Sequence, residues 1–435
     1  MKKKGMPLLL VLMMLFAILS ACSSTSTGTT EESNKAEGST DASATKNESG
    51  NPVTLTYAMW DANQAKGLQT LVDEFQNSNP NIKVKIEVAG WSDYWTMLEA
   101  GATGGSLPDV FWMHSNEIYR YASNDMLLDL TDRINSSQQV EMDKFPKGLT
   151  QIYNFEGKQY AIPKDFDTIG LWYNKTMFDE EKLEYPNENW TWDDLYNAAK
   201  TLTKNGKYGI LTPFHNQEGY YNFVYQNGGT IITADKKSGY DDPKTIEALK
   251  YYTQFVRDGL SPEVYGDSER AEALQNGVAA MGFFGSWNLS GFTANEFMAN
   301  NFDVAPLPRG TQQATIFNGL GNAIAHNTKY PDEAWKFVEY LSSKEGQLRQ
   351  AELGIAISAY EGAAEQWVSS NTTFNVKPFV DMVKYAVIRP YSNTTAVWED
   401  KAYEALKPAF TGQQTVEEAA ANAAKIMNES LASEK

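Results

Sequence analysis

From Val53 onward the apolar positions fall into short alternating runs separated by longer stretches of helical period. Val53, Leu55, Tyr57 and Met59 alternate with Thr54, Thr56 and Ala58, the period-two pattern of a strand. Trp60-Asp61 ends it, and Asp61 can cap a helix whose apolar face is Leu68, Leu71, Val72 and Phe75. Asn79-Pro80-Asn81 stops that helix. Ile82 to Val88 then alternates around Lys83, Lys85 and Glu87 as a second strand. Trp91-Ser92-Asp93 opens another helix, through Met97 and Leu98 to the neighbourhood of Gly104-Gly105, and Pro108 to Met113 holds a short third strand. This β-α-β-α-β order favours a partly parallel sheet with helices on its faces. In such sheets, sites lie at the carboxyl ends of the strands. Trp60, Asp61, Trp91 and Trp112 fall at such ends.

The second half carries comparable signals. Thr191-Trp192-Asp193-Asp194 has the form of a capping box, opening a helix that turns Leu195, Ala198, Ala199 and Leu202 inward. Lys329-Tyr330-Pro331-Asp332-Glu333 starts a helix with Ala334, Phe337, Val338 and Leu341 on one face. Thr415-Val416-Glu417-Glu418 caps a final helix with Ala423, Ile426 and Met427. No internal repeat is visible.

The first 51 residues follow a different pattern. Lys2, Lys3 and Lys4 precede an apolar run from Leu8 to Leu19, and Leu19-Ser20-Ala21-Cys22 follows. A basic head, an apolar core and small residues before a cut site make a secretory signal over 1–21. The cysteine at the cut resembles the bacterial lipobox, with Cys22 as the lipidation site. The other reading is an ordinary signal peptide, but Cys22 is the single cysteine of the chain. The run is too short for a comfortable transmembrane helix. Ser23 to Asn51 has no aromatic residue and no Val, Ile or Leu, so it cannot bury apolar surface and is expected to be a disordered tether. As a flexible coil it would span roughly 30 Å. Together, 22–51 lean toward a body held at the extracellular face of a Gram-positive membrane by a lipid alone.

The body is too long for one simple core and suggests two lobes. A net charge of −18 disfavours nucleic acid and anionic membrane surfaces. The three histidines, His114, His215 and His326, have no metal-site spacing, so no metal and no cofactor is expected. Aromatic residues make up 12% of the chain, with eleven Trp and 23 Tyr. Trp is costly to bury fully because of its indole N–H, and many of these Trp residues stand where loops form sites.

Several ordered motifs carry a family resemblance: Leu107 to Trp112; Tyr160-Ala161-Ile162-Pro163; Leu171-Trp172-Tyr173-Asn174-Lys175; Trp190 to Leu195; Gly277 to Met281 running on to Gly285-Ser286-Trp287; and Gly412 to Ala419. In order and spacing the chain resembles the extracellular solute-binding proteins of carbohydrate ABC importers, the group of the maltodextrin-binding protein. The resemblance implies an α/β, two-lobed periplasmic-binding-protein-like fold (type II, Venus-flytrap), each lobe a mixed, mostly parallel sheet flanked by helices. It places the first crossing between lobes near Asp165 to Thr168, the second near Asn318 to Gly321 and the third near Ser342 to Gly346. The N-lobe would be 52–165 plus 320–343, and the C-lobe 168–318 plus 346–435.

Sugars need aromatic faces for their C–H surfaces and paired donors and acceptors for their hydroxyls. The resemblance implies Trp287 as the first stacking residue, with Trp398 and Trp112 as further ones. It implies Asp167 at the first crossing, and Glu218 and Tyr220 in the second lobe, as polar partners. Trp60, Asp61 and Trp91 are loop-end candidates, Asn318 could reach the cleft from the second crossing, and Arg389 could hold a carboxylate or a hydroxyl. Two departures argue against maltose itself: Ser115-Asn116 stand where relatives have an Asp-Arg pair, and Glu399 follows Trp398 where the maltodextrin protein has Tyr. The expected protein is a monomeric, non-enzymatic receptor that passes an oligosaccharide to the transmembrane permease subunits of an ABC importer. Two alternatives stand beside it: the same fold binding a polyamine, peptide or metal ion, and a surface glycoside hydrolase using Asp167 with Glu218.

Overall fold

The computed structural model of the chain describes residues 52–262 and 267–434. The signal, Cys22 and the tether lie outside the described residues. Among the described residues no helix is long and apolar enough to cross a membrane, and no group of three or more His, Cys, Asp or Glu is placed to hold a metal ion.

The alternating runs form the elements that their periods predict. Strand β1 spans Val53–Met59, helix α1 Ala62–Ser78, strand β2 Ile82–Val88, helix α2 Trp91–Gly104 and strand β3 Val110–Met113. β1 lies between β2 and β3 and runs parallel to both, with Val53 opposite Ile82 and Tyr57 opposite Val110. Two strands complete this first sheet: Gly321–Ile324 antiparallel to β3, and Ala161–Pro163 at the edge, antiparallel to Gly321–Ile324 and so running with β1 to β3. Helix Pro331–Ser342 closes one face, where Phe337 meets Tyr57 at 5.2 Å and Phe75 at 5.1 Å, edge to face or tilted. Such aromatic contacts add roughly 0.5–1.5 kcal/mol beyond the area they bury.

The second lobe is built on Ile169–Asn174, a strand buried along its whole length. It pairs antiparallel with Met281–Gly285 on one side and Phe302–Ala305 on the other. Tyr208 and Leu211 extend the sheet through parallel bridges to Ala279 and Gly282. The expected mixed sheets are thus present, but their hydrogen bonding is less parallel than the resemblance implies. Trp172 stands between Phe292 and Phe374, 4.8 and 4.9 Å away. The helices Thr395–Phe410 and Val416–Leu431 pack on one another and on the helix Pro243–Arg257.

The chain passes between the lobes along a narrow ribbon. Asp167 and Asn318 exchange backbone hydrogen bonds of 2.7 and 3.3 Å. On the other side, Asp165–Phe166 pairs antiparallel with Ile357–Ser358. Gly319 sits so close to the first crossing that a Cβ there would lie 2.2 Å from the carbonyl oxygen of Asp165. The third crossing is not at Ser342 to Gly346. Helix Lys344–Glu352 stays with the first lobe, because Arg349 pairs with Glu74 of α1 at 2.9 Å and Gln350 donates to the carbonyl of Lys164 at 2.7 Å. The passage begins at Ile357–Ser358 and reaches the second lobe by Phe374, against Trp172.

Candidate ligand-binding site

A cleft of about 840 Å³ opens between the lobes, in the upper part of the range for small-molecule sites. Its first wall comes from the carboxyl ends of β1 and β3 and the start of α2. The strand pattern stops at Met59, and the turn into α1 leaves Trp60 and Asp61 on the lining. Trp60 meets Trp91, Tyr94 and Trp112 edge-on at 5.0–5.1 Å. Trp91 is 41% exposed, the most open tryptophan of the wall, and its ring meets His114 at 5.3 Å. Asp61 lines the cleft while also capping α1: its carboxylate accepts from the backbone N–H of Asn63 and from Gln64 Nε2, both at 2.8 Å.

Trp287 lines the opposite wall. Strand Met281–Gly285 ends in a tight turn whose geometry explains the Gly-Ser-Trp order. The Trp287 ring lies over Gly285, where a Cβ would come 2.0 Å from the ring. Glu218 secures this turn from behind, accepting from the backbone N–H of Gly285 at 2.7 Å and from Asn288 Nδ2 at 2.9 Å.

The floor is polar. Asp167 accepts from Gln217 Nε2 at 2.8 Å. Burial, and then the nearby charge of Asp165, push its carboxyl well above the usual carboxylate range. Asp165 itself is ion-paired to Lys164, whose ammonium lies 4.1 Å over the Trp112 ring. Burial, reinforced by the charge of Arg389, lowers the His114 pKa to about 3, so the ring is neutral. Its Nδ1 lies 2.6 Å from Asn116 Oδ1 and 3.3 Å from the Asn116 backbone N–H, and its Nε2 lies 3.1 Å from Asn318 Nδ2. Arg389 reaches the lining with its Nη2 on Glu399 at 2.5 Å. Glu117 has its carboxyl raised to about 7 by burial, against the pull of Arg120. Arg120 Nε lies 3.0 Å from Glu117 Oε2 but off the hydrogen-bonding direction, and its Nη2 donates to Glu99 at 2.7 Å.

The profile of the bacterial extracellular solute-binding proteins matches residues 61–348, which include Asp61, Trp91 and Trp287 of this cleft and the first two crossings. The chain belongs to that family. Three relatives set this solute-binding protein in context. A diacetylchitobiose-binding protein of Streptomyces coelicolor is 27% identical over 314 residues, covering 68% of this chain and 72% of the relative. An ABC substrate-binding protein of Listeria monocytogenes, solved in complex with cycloalternan, superposes with a TM-score of 0.80 at 27% identity, covering 88% of this chain and all of the other. A solute-binding protein of Thermotoga lettingae, solved with α-D-tagatose, gives 0.78 at 23% identity, covering 87% and 99%.

Of the expected site residues, Trp60, Asp61, Trp91, Asp167, Trp287 and Arg389 line the cleft of this solute-binding protein. Five do not. Trp112 sits inside the fully buried β3, donating its indole N–H to Tyr57 Oη at 2.7 Å, and serves as backing for Trp60. Trp398 is 0% exposed and donates to Ser392 Oγ at 2.9 Å. The helix Thr395–Phe410 turns Ala396, Glu399, Asp400 and Tyr403 toward the cleft, and Trp398 is off that face. Glu218 is buried in an ion pair with Arg270. Tyr220 packs among Phe214, Tyr221 and Phe410. Asn318 is buried in the ribbon, tying His114 to the second crossing. Because Glu218 lies behind the cleft, it cannot face Asp167 across a glycosidic bond, and the hydrolytic pairing fails on geometry.

Residues not singled out from sequence also line the cleft, among them Gln64, Glu117, His215, Gln217, Asp400 and Tyr403. The spacing 396, 399, 400, 403 was a usable signal, since i, i+3, i+4, i+7 is one helix face. Of the departures noted above, Asn116 reaches the lining, whereas Ser115 is fully buried.

Proposed function

We propose that this chain is the sugar receptor of an ABC importer, capturing an oligosaccharide between its lobes and delivering it to the permease subunits. In this reading it is a monomer, held at the outer face of the cell membrane by lipid on Cys22, and it does no chemistry on its cargo. The observation that carries the reading is the cleft's division of labour. Tryptophans stand on both walls, Trp60 and Trp91 on one and Trp287 on the other, and a buried polar floor lies between them. Aromatic faces suit the C–H surface of sugar rings, and a desolvated polar floor suits their hydroxyls. The relatives support a sugar as cargo. Cycloalternan and diacetylchitobiose are oligomers and α-D-tagatose is a single ring, so the scaffold accommodates both. Four tryptophans on two walls, Trp60, Trp91 and Trp95 facing Trp287, favour more than one ring here.

The cation-binding alternative has one observation in its favour. Seven carboxylates line the cleft (Asp61, Glu99, Glu117, Asp165, Asp167, Glu399 and Asp400) against the guanidiniums of Arg120 and Arg389. Most are already engaged: Asp61 by the start of α1, Asp165 by Lys164, Glu399 by Arg389, and Glu99 and Glu117 by Arg120. Little carboxylate is left to attract a polyamine.

Intrinsic tryptophan fluorescence of the full chain, titrated with a glycan panel and with spermidine as control, tests the reading. A saturable change with one glycan class is the expected result. A response to spermidine alone moves the assignment to a cation receptor. Tight binding of free monosaccharides only would overturn the oligosaccharide part.

A further inference from the structure

The second wall carries an accessible aromatic ring besides Trp287. Tyr403 lines the cleft from the helix Thr395–Phe410. Its ring stacks on Phe214 at 4.0 Å with 25° between the planes, and its hydroxyl donates to the Phe214 carbonyl at 2.9 Å. Phe214 is buried and is backed in turn by Phe410, 4.3 Å away. The tyrosine is thereby held in one orientation before any ligand arrives. With one face on Phe214, the half-buried ring keeps its remaining surface on the cleft. A tyrosine offers a rigid contact area with little rotamer freedom to lose, and the face of its ring suits the C–H surface of a sugar. Asp400, one turn earlier on the same helix face, is exposed and also lines the cleft. Its carboxylate accepts hydrogen bonds, so a platform and an acceptor for hydroxyls stand side by side.

The position of this pair along the cleft decides which part of a ligand it meets. At one end the lobes approach each other at Asn63 of α1 and at Gly291, in the helix Leu289–Ala294 that follows Trp287. There Asn63 Nδ2 stands 3.5 Å from the place a Gly291 Cβ would take. Trp60, just before α1, packs on Trp91 at this end. From Trp91 the first wall follows α2, where Trp91, Trp95 and Glu99 line the cleft one turn apart. Between positions 91 and 99 a helix rises about 12 Å, more than the length of one pyranose ring. Glu99, at the far end, accepts from Arg120 Nη2 at 2.7 Å. Arg120 faces Asp400 from across the cleft: burial raises the Asp400 carboxyl, and the Arg120 guanidinium is the first pull against that rise. Trp287 and Tyr403 are thus set to meet different rings of a ligand, not two faces of one ring.

We propose that Tyr403, with Asp400 beside it, forms a second sugar subsite at the Arg120 end of the cleft and makes the receptor select for chain length. This rests on the sugar-receptor reading above and adds which residues read the further unit. The test is calorimetric titration of the full chain with three series, each of a monosaccharide, its disaccharide and its trisaccharide: glucose to maltotriose, N-acetylglucosamine to triacetylchitotriose, and mannose to mannotriose. The unliganded proteins are melted in parallel. In the series that binds, the wild type should hold the trisaccharide about 30-fold or more tighter than the monosaccharide, and Tyr403→Ala should cut that ratio about tenfold. Tyr403→Phe, which keeps the ring, should restore the ratio. Asp400→Asn should lower it about threefold, and an unmoved ratio there removes Asp400 from the subsite. A role confined to folding would weaken every member of the series alike and leave the ratio where it was. Equal affinity of the wild type for monosaccharide and trisaccharide overturns the proposal, and this measurement stands even if Tyr403→Ala fails to fold. A ratio within about twofold of wild type in Tyr403→Ala overturns it as well. In either case the receptor reading survives, because a sugar has bound. If no sugar of the panel binds the wild type, the receptor reading fails for these sugars and this proposal goes with it.

Discussion

Glu117 titrates near neutrality because burial disfavours its anion more than Arg120 restores it. The folded pKa, about 7, lies above that of an exposed glutamate, so the group's contribution to stability is full below about pH 4.5 and is lost as pH rises through about 7. The shift corresponds to roughly 3 kcal/mol. Urea unfolding at pH 5 and pH 8.5 should show the wild type losing stability relative to Glu117→Gln over that interval, by up to that amount. A constant gap across the interval would mean that Glu117 is charged throughout. Gly285 makes a steric prediction at the same scale. Adding one methyl there must displace the Trp287 ring, so Gly285→Ala should weaken sugar binding about as much as Trp287→Ala, roughly 30-fold. Overpacking of this kind also costs about 1–3 kcal/mol of stability.

At the scale of elements, the helix Thr395–Phe410 separates two roles that are adjacent in sequence. Trp398 faces the core and Glu399 faces the cleft. Trp398→Ala should therefore cost about 3–5 kcal/mol of stability by chemical denaturation, while Trp398→Phe should bind sugar nearly as the wild type does. Removing Glu218 takes away one buried ion-pair partner of Arg270 and releases the turn that carries Trp287. Glu218→Gln should lower stability by about 3–5 kcal/mol and reduce affinity together. The capping box expected at Thr191 is formed with Asp194, and the cap expected at Thr415 is formed as a box with Glu418. β1, α1, β2 and α2 also follow the runs that predict them, because local period and capping chemistry dominate there. The cleft was less legible. Trp60, Asp61 and Trp91 could be placed because strand ends in such sheets open onto sites. Trp112 and Trp398 could not be told from lining residues, since a buried and an exposed Trp look alike in sequence until the partner of the indole N–H is known. The third crossing was misplaced because the long-range pairs Arg349–Glu74 and Gln350–Lys164 leave no local signature.

At the scale of the whole molecule, the crossings lie side by side. Asp165–Asp167 has Asn318 on one flank and Ile357–Ser358 on the other, joined by backbone hydrogen bonds. Hinges of this kind concentrate a domain motion in a few residues. Sugar binding should draw the lobes together, which small-angle scattering would register as a smaller radius of gyration; an unchanged radius would mean that the unliganded protein is already closed. The ribbon also limits which motion is available. Sliding one crossing past another would break the Asp167–Asn318 and Phe166–Ile357 pairings, whereas bending the three together keeps them. Occupancy is thereby converted into a single angle. A permease that gauges the distance between two patches, one on each lobe, could distinguish loaded from empty receptors without touching the cargo, so one transporter could serve any sugar that closes the angle.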